Sequence, residues 1–275
     1  MTAPIVCRTL ATEYRLHLPT AVDAERFRFV EASPQLSTEL TAVDIVFSGG
    51  DGLYAAQLPR IGPADGDTGR CLSRLSALFL LDQSWSHPGC PMVHGATLRV
   101  GGKRLLIVAD KGTGKSTLVL HMLAHGHDVE GDEHLVVLDG EVVARPRRLR
   151  IKPNSLELVA HLPEAILRAP TVTDWNGLTH RSVDPSIFGR PWRIGRGKLD
   201  AVLFATPNRG GISCLRAISP DESFTRLRAN GYLFEASVGL AIGRLRALSQ
   251  QTPAFELSLG TLSSAETQLV RLATA

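Results

Sequence analysis

An α/β fold is expected from three features of this 275-residue chain. The run Leu105-Leu-Ile-Val-Ala109 is apolar throughout, as in a strand buried on both faces. A glycine-rich turn follows it directly, and a helical pattern from Thr117 to Ala124 follows the turn. Upstream, short alternating segments predict a small antiparallel β-rich region ahead of this core.

Taken in order, Tyr14–Leu18 and Val43–Phe47 alternate as strands do, with a turn at Ser48–Gly52 between the second and Leu53. Residues Pro63–Gly69 read as a loop. From Arg70 to Trp85, Leu72, Leu75, Leu78, Phe79 and Leu81 keep helical spacing. A division follows into residues 1–90, β-rich with one helix and a candidate for substrate binding, and residues 91–275, a catalytic domain. In the latter, Ala96–Val100 and Leu105–Ala109 form a hairpin through Gly101-Gly102. Leu135–Ala144 forms another, with Asp139-Gly140 at its tip. Asp200–Ala205 and Ile212–Ile218 supply further strands. Between Ser155 and Leu199, Pro163, Pro170, Pro185 and Pro191 break the chain into short pieces, read either as a substrate loop or as surface connection. Ser219-Pro-Asp-Glu222 caps one late helix, and Ser263-Ser-Ala-Glu266 repeats the capping box before the last.

Composition narrows the function classes. Apolar residues make up 44% and charged residues 21%, with a formal net charge of +3, so no concentrated basic field marks a nucleic-acid partner. Cys7, Cys71, Cys90 and Cys214 lack the spacing of a zinc site and read as free thiols. The first residues show no basic-then-apolar pattern, and no uncharged run approaches the ~20 residues of a membrane span. A cytoplasmic chain without a membrane partner is expected; homo-oligomerisation is left open.

The chemistry concentrates in Ala109-Asp110-Lys111-Gly112-Thr113-Gly114-Lys115-Ser116-Thr117. Between a buried strand and a helix, such a P-loop turn points backbone N–H groups at one small volume and favours a phosphate there. Asp110 through Thr117 are the expected nucleotide-binding residues. Lys115 would reach the β- and γ-phosphates and Ser116 would ligate Mg²⁺. Ala109 stands where a glycine is usual. Asp132-Glu133, expected at a strand end, offer two carboxylates, one for general-base work and one for the metal shell.

The stretch from His94 to Glu133 resembles the catalytic domain of the HPr kinase/phosphorylase family and its stand-alone relatives. The counterparts are His94-Gly95, the loop Ala109–Ser116, His125-Gly126-His127 and Gly131-Asp132-Glu133, with a weaker echo in Ile194-Gly195-Arg196-Gly197. Lys111 departs from a serine, Glu133 from an aspartate and Gly197 from an asparagine of that pattern. The resemblance implies a phosphoenolpyruvate-carboxykinase-like core and an ATP- and Mg²⁺-dependent serine kinase. It makes Asp132 the general base, Ser116, Glu133 and Asp132 the metal ligands, and Lys115 the phosphate clamp. His94 would orient the reacting groups, and Arg193 and Arg196 would neutralise phosphoryl charge. The implied acceptor is a serine of a peptide or small protein; the chain looks most like kinases that tailor ribosomally made peptides, lasso-type precursors included. A small-molecule kinase on the same site and a nucleotide-hydrolysing regulatory module are the alternatives.

One basic run, Arg145-Pro-Arg-Arg-Leu-Arg-Ile-Lys152, places Arg148, Arg150 and Lys152 on one strand face. It reads as a solvated face or as a docking strip for an acidic peptide.

Overall fold

The computed structural model describes residues 3–32, 35–36, 39–156, 159–234 and 238–275. The chain forms two compact units, Met1–His87 with Pro146–Trp192, and Pro88–Arg145 with Arg193–Ala275. The division is therefore discontinuous, where a single cut near residue 90 is expected from sequence.

In the first unit, Ile5–Arg8 pairs antiparallel with Thr12–His17, but Thr12–His17 pairs parallel with Thr41–Val46. The small sheet is thus mixed rather than antiparallel. Leu53–Leu58 and Gly62–Asp67 form an antiparallel pair, so most of the expected loop at Pro63–Gly69 is strand. The helix Thr68–Ser86 starts directly after it, capped by the Asp67 side chain on the Arg70 amide. Its apolar stripe packs Leu72, Leu75, Leu78 and Phe79 against Tyr14, Leu16, Phe27 and Ile45.

Most of the proline-punctuated segment, up to Trp192, also belongs to this unit. Leu149–Ile151, Thr179–Val183 and Thr171–Thr173 form a three-stranded sheet, and Val172 joins the same core. Its strands Thr171–Thr173 and Thr179–Val183 make it integral structure rather than plain surface connection. Arg150, on Leu149–Ile151, is half-buried and donates to Ser182 Oγ and the Phe29 carbonyl. Burial pushes its guanidinium well below the ordinary arginine range, helped by the positive charges of Arg147 and Arg148. Arg148 pairs with Glu31 and Asp184. These arginines hold the unit together and do not form an open docking strip.

The second unit carries an eight-stranded mixed sheet. Across it run Val142–Ala144, Asp128–Val137, Met92–Val100, Lys103–Ala109, Ala201–Pro207, Ala254–Leu259 and Cys214–Ile218. Gly231–Tyr232 pairs beside Met92–Val100. Ala201–Pro207 is parallel to both of its neighbours, Lys103–Ala109 and Ala254–Leu259. Central parallel strands are covered on both faces, which accounts for the unbroken apolar run at 105–109. One face packs Val93, Leu106, Val108, Leu135 and Phe204 with Leu227 and Leu245 from flanking helices.

Ser219 caps the helix Pro220–Ala229 through the Glu222 amide, as its sequence predicts. The last helix differs. It spans Leu262–Thr274 with Thr261 at its N-cap position and no side-chain cap. Ser263 lies inside the helix rather than at its cap, so it does not form the expected capping box with Glu266. Among the described residues no helix is long and apolar enough to cross a membrane.

Candidate active site

The site lies in the second unit, where the buried strand Lys103–Ala109 turns into the helix Lys115–Ala124. Ala109 is the last strand residue, paired with Ala205, so its extended backbone accommodates a β-carbon where a glycine is usual. The left-handed conformations fall at Gly112 and Gly114, with φ of 90° and 105°, a region L side chains avoid. Thr113 closes the turn by donating its amide to the Asp110 carbonyl at 3.2 Å. Lys115, Ser116 and Thr117 then open the helix, whose first amides have no intrahelical acceptor.

Asp132 meets this turn from the strand Asp128–Val137, which Met92–Val100 separates from Lys103–Ala109. Lys115 Nζ donates to Asp132 Oδ1, and Ser116 Oγ donates to Asp132 Oδ2 at 2.6 Å. Both partners of the ion pair are buried. Burial pushes the Asp132 carboxyl up. The Lys115 charge and hydrogen bond, the Ser116 hydroxyl and the His94 charge outweigh it and hold the group below the usual carboxylate range.

Neither carboxylate falls at a strand end. Both lie mid-strand, in register with Ala96 and Gly95 of Met92–Val100. A bulge between Val129 and Gly131 shifts that register by one residue, with Glu130 as the extra residue. Such a slip swaps which side chains face each side of the sheet, so the bulge sets the face on which Asp132 emerges. Glu133 follows with φ of 109°, a conformation costing a non-glycine residue about 1–3 kcal/mol and found chiefly where function holds it in place.

His94 lies opposite His134 in register, with ring centroids 5.7 Å apart. Tyr232 contacts His134 from the other side at 5.0 Å. Both ring nitrogens of His134 are buried without a hydrogen-bond partner among the described residues. Burial, then the positive charges of Arg145, His94 and Lys115, push its pKa down to about 3. Its folded pKa lies below the unfolded value of about 6.5, so the native state binds fewer protons. The corresponding stability is fully present above pH 6.5 and is lost as pH falls toward 3. His134→Gln should lose about 2 kcal/mol less stability than the parent between pH 7.5 and pH 5; parallel urea titrations that fall equally would refute this assignment.

Arg193 and Arg196 flank Gly195 on a segment that the sequence singles out and the fold anchors. Arg193 is exposed, and Arg196 Nε donates to Glu141 Oε2 at 2.5 Å. Arg104 fastens the segment from beneath: its guanidinium makes a bidentate pair with Glu130, at 2.8 and 2.9 Å, and donates to the Gly195 carbonyl at 3.3 Å. A Cβ on Gly197 would fall 2.0 Å from Arg104 Nη1. A side chain at position 197 would therefore have to displace the Arg104 guanidinium. Arg104, Glu130 and Glu141 escape sequence reading, since nothing local marks a bulge residue or the arginine it meets.

The structure thus brings Lys115, Ser116 and Asp132 into direct contact and sets His94 within electrostatic reach of Asp132. It engages Arg196 with Glu141 rather than with these groups.

No family model matches the chain, and no curated protein matches it. A similar solved structure is the HPr(Ser) kinase/phosphatase from Coxiella burnetii, with a TM-score of 0.33 and 12% identity. That match covers 66% of this chain and 88% of the other. A likeness of this degree bears on neither substrate nor mechanism, which rest on the site itself.

Proposed function

We propose that this chain is an ATP- and Mg²⁺-dependent serine kinase acting on a peptide or small protein, of the class to which ribosomally made, lasso-type precursors belong. The observation that carries the reading is the convergence of Lys115 and Ser116 on buried Asp132, at the start of a helix entered through two left-handed glycines. The His94–Glu133 pattern described above supports it.

The residues present fit a magnesium nucleotide. A Cβ at Gly112 would meet nothing within 4 Å, so the outer side of the turn is open to phosphate oxygens. The amides of Asp110 through Thr117 and the Lys115 ammonium would hold the phosphates, and Ser116, Glu133 and Asp132 would hold the metal. Bound there, the nucleotide supplies the transferable phosphoryl group and the metal neutralises its charge.

The chain's own groups then divide the remaining work. Asp132 would accept the serine proton. A useful general base needs a pKa near the working pH, and Asp132 is held low here by Lys115. With Lys115 turned toward phosphate its contribution would weaken, while the Ser116 hydroxyl, the His94 charge and the bound Mg²⁺ would keep Asp132 in the carboxylate form that can accept a proton. His94, on the adjoining strand, would orient the hydroxyl, and Arg193 and Arg196 would offset charge from their anchored segment.

The test is incubation of the full chain with ATP, Mg²⁺ and serine-bearing candidate peptides, read by mass spectrometry. One added phosphate on serine is expected with the parent, and none with Asp132→Asn, which retains nucleotide binding within a few-fold. Phosphate appearing on a small molecule, or only as free phosphate, would replace this reading by one of the two alternatives. Undiminished transfer by Asp132→Asn would remove the general-base role.

A further inference from the structure

The far end of the same helix carries a second constellation, which phosphoryl transfer does not use. Lys115–Ala124 ends in a Schellman motif: Gly126, with φ of 87°, donates its amide to Leu123 O, and His127 donates its amide to Met122 O. This wraps the chain back over the last turn. His121, one turn before the end, His125 at the cap, and His127 just past it then converge on one carboxylate, Glu266 of the last helix. The contacts are His121 Nε2 to Oε2 at 3.1 Å, His125 Nδ1 to Oε2 at 2.6 Å, and His127 Nε2 to Oε1 at 3.1 Å.

We propose that His121, His125 and Glu266 form a binding site for one transition-metal ion of the zinc class, with His127 fixing the carboxylate from its other oxygen. The donor atoms of the three ligands lie within 4.8 Å of one another. A tetrahedral ion with bonds of about 2.0–2.1 Å sets its ligands roughly 3.4 Å apart, so small side-chain rotations close the site. His121 and His125 stand four residues apart on one helix, hence on one face, with ring centroids 4.0 Å apart. His121 is buried and supplies a fixed ligand; His125 is half exposed and leaves a route for the ion.

The donor set selects the metal. Imidazole nitrogens suit zinc, copper, nickel and cobalt, whereas magnesium and calcium prefer oxygen alone. The ion is therefore different from the one expected beside Ser116. Ligation requires each imidazole to present a lone pair toward the metal, so the ring proton moves to the opposite nitrogen. His127 would then act as outer-shell partner, orienting the carboxylate so that Oε2 faces the two histidines. An ion here would tie the C-terminal end of helix Lys115–Ala124 to the last helix.

The decisive measurement is metal uptake by the full, untagged chain after chelator treatment, titrated with Zn²⁺ and with Co²⁺ as a spectroscopic probe. One equivalent is expected, with cobalt d–d bands and no thiolate charge-transfer band, and with a melting temperature about 5 °C higher when the ion is saturating. Glu266→Gln and His125→Ala should each weaken binding by about tenfold or more, while Cys214→Ser leaves it unchanged. The proposal is overturned by a parent chain that takes up no ion, by variants that bind as tightly as the parent, or by a thiolate band that moves the ion to cysteine. None of these readouts depends on phosphoryl transfer.

Discussion

Replacing Lys115 by methionine is expected to abolish phosphate transfer and, separately, to destabilise the fold by about 3–5 kcal/mol. The second effect arises because Asp132 is buried and Lys115 is its ion-pair partner; removing one member of such a pair strands the other charge. The pH dependence distinguishes the two effects. In the parent, Asp132 is held below its ordinary value, so its stabilising contribution is present above the unfolded pKa of about 3.9 and is lost as pH falls through the lower folded value. In Lys115→Met, both lowering effects of Lys115 are gone and burial is opposed only by the Ser116 hydroxyl and the His94 charge, so the folded value is expected to move above the unfolded one. The sign reverses: the variant's deficit should be small in acid and grow as pH rises toward neutrality. Adding Asp132→Asn should recover most of the stability, because no buried charge remains, and none of the transfer. Denaturant titrations at pH 4 and pH 7 on parent, single and double variants test this. A deficit that does not change with pH, or a double variant no more stable than Lys115→Met, would show that the pair does not govern this part of the fold.

The same site shows what a sequence reveals and what it hides. The strand–turn–helix unit is legible because a strand buried on both faces must be apolar throughout, and because left-handed turn positions favour glycine. Helix Thr68–Ser86 is legible for a similar reason, since its leucines keep the helical period over several turns. The bulge at Glu130 is not legible. It adds one residue to a strand with no compositional signal, yet it decides the face on which Asp132 emerges. The joining of Pro146–Trp192 to the first unit was equally hidden, because its strands are only three to five residues long, below any periodic window. Pro63–Gly69 reads as a loop from its proline, glycines and aspartates, but pairing of Gly62–Asp67 with Leu53–Leu58 overrides that local preference over most of it. Glu266 imitates a capping glutamate in sequence; its use is set by three histidines some 140 residues earlier, a contact that only the packed fold creates.

Arg104→Met is expected to cost about 3–5 kcal/mol, again by leaving a buried carboxylate, here Glu130, without its cation. The consequence for the site differs from that of Lys115. Arg104 also holds the Gly195 carbonyl and fills the space a Cβ on Gly197 would take, so its loss loosens the segment bearing Arg193 and Arg196 at Gly195. Arg104→Met with Glu130→Leu should restore most of the stability, since apolar side chains of similar volume often replace a buried ion pair without penalty. Transfer should nevertheless stay depressed, because the arginine-bearing segment then keeps its Glu141 and Val142 contacts but loses the tie at Gly195. Gly197→Asn provides an independent check on the same contact. In the parent it forces a Cβ onto a guanidinium pinned by Glu130, and should destabilise by about 1–3 kcal/mol. In the Arg104→Met/Glu130→Leu background the obstruction is gone and most of that cost should vanish. Chemical denaturation of the four combinations measures the coupling directly. Additive effects would mean that Gly197 is not there to admit Arg104, and full transfer by the stabilised double variant would mean that the segment's anchorage is irrelevant to the reaction.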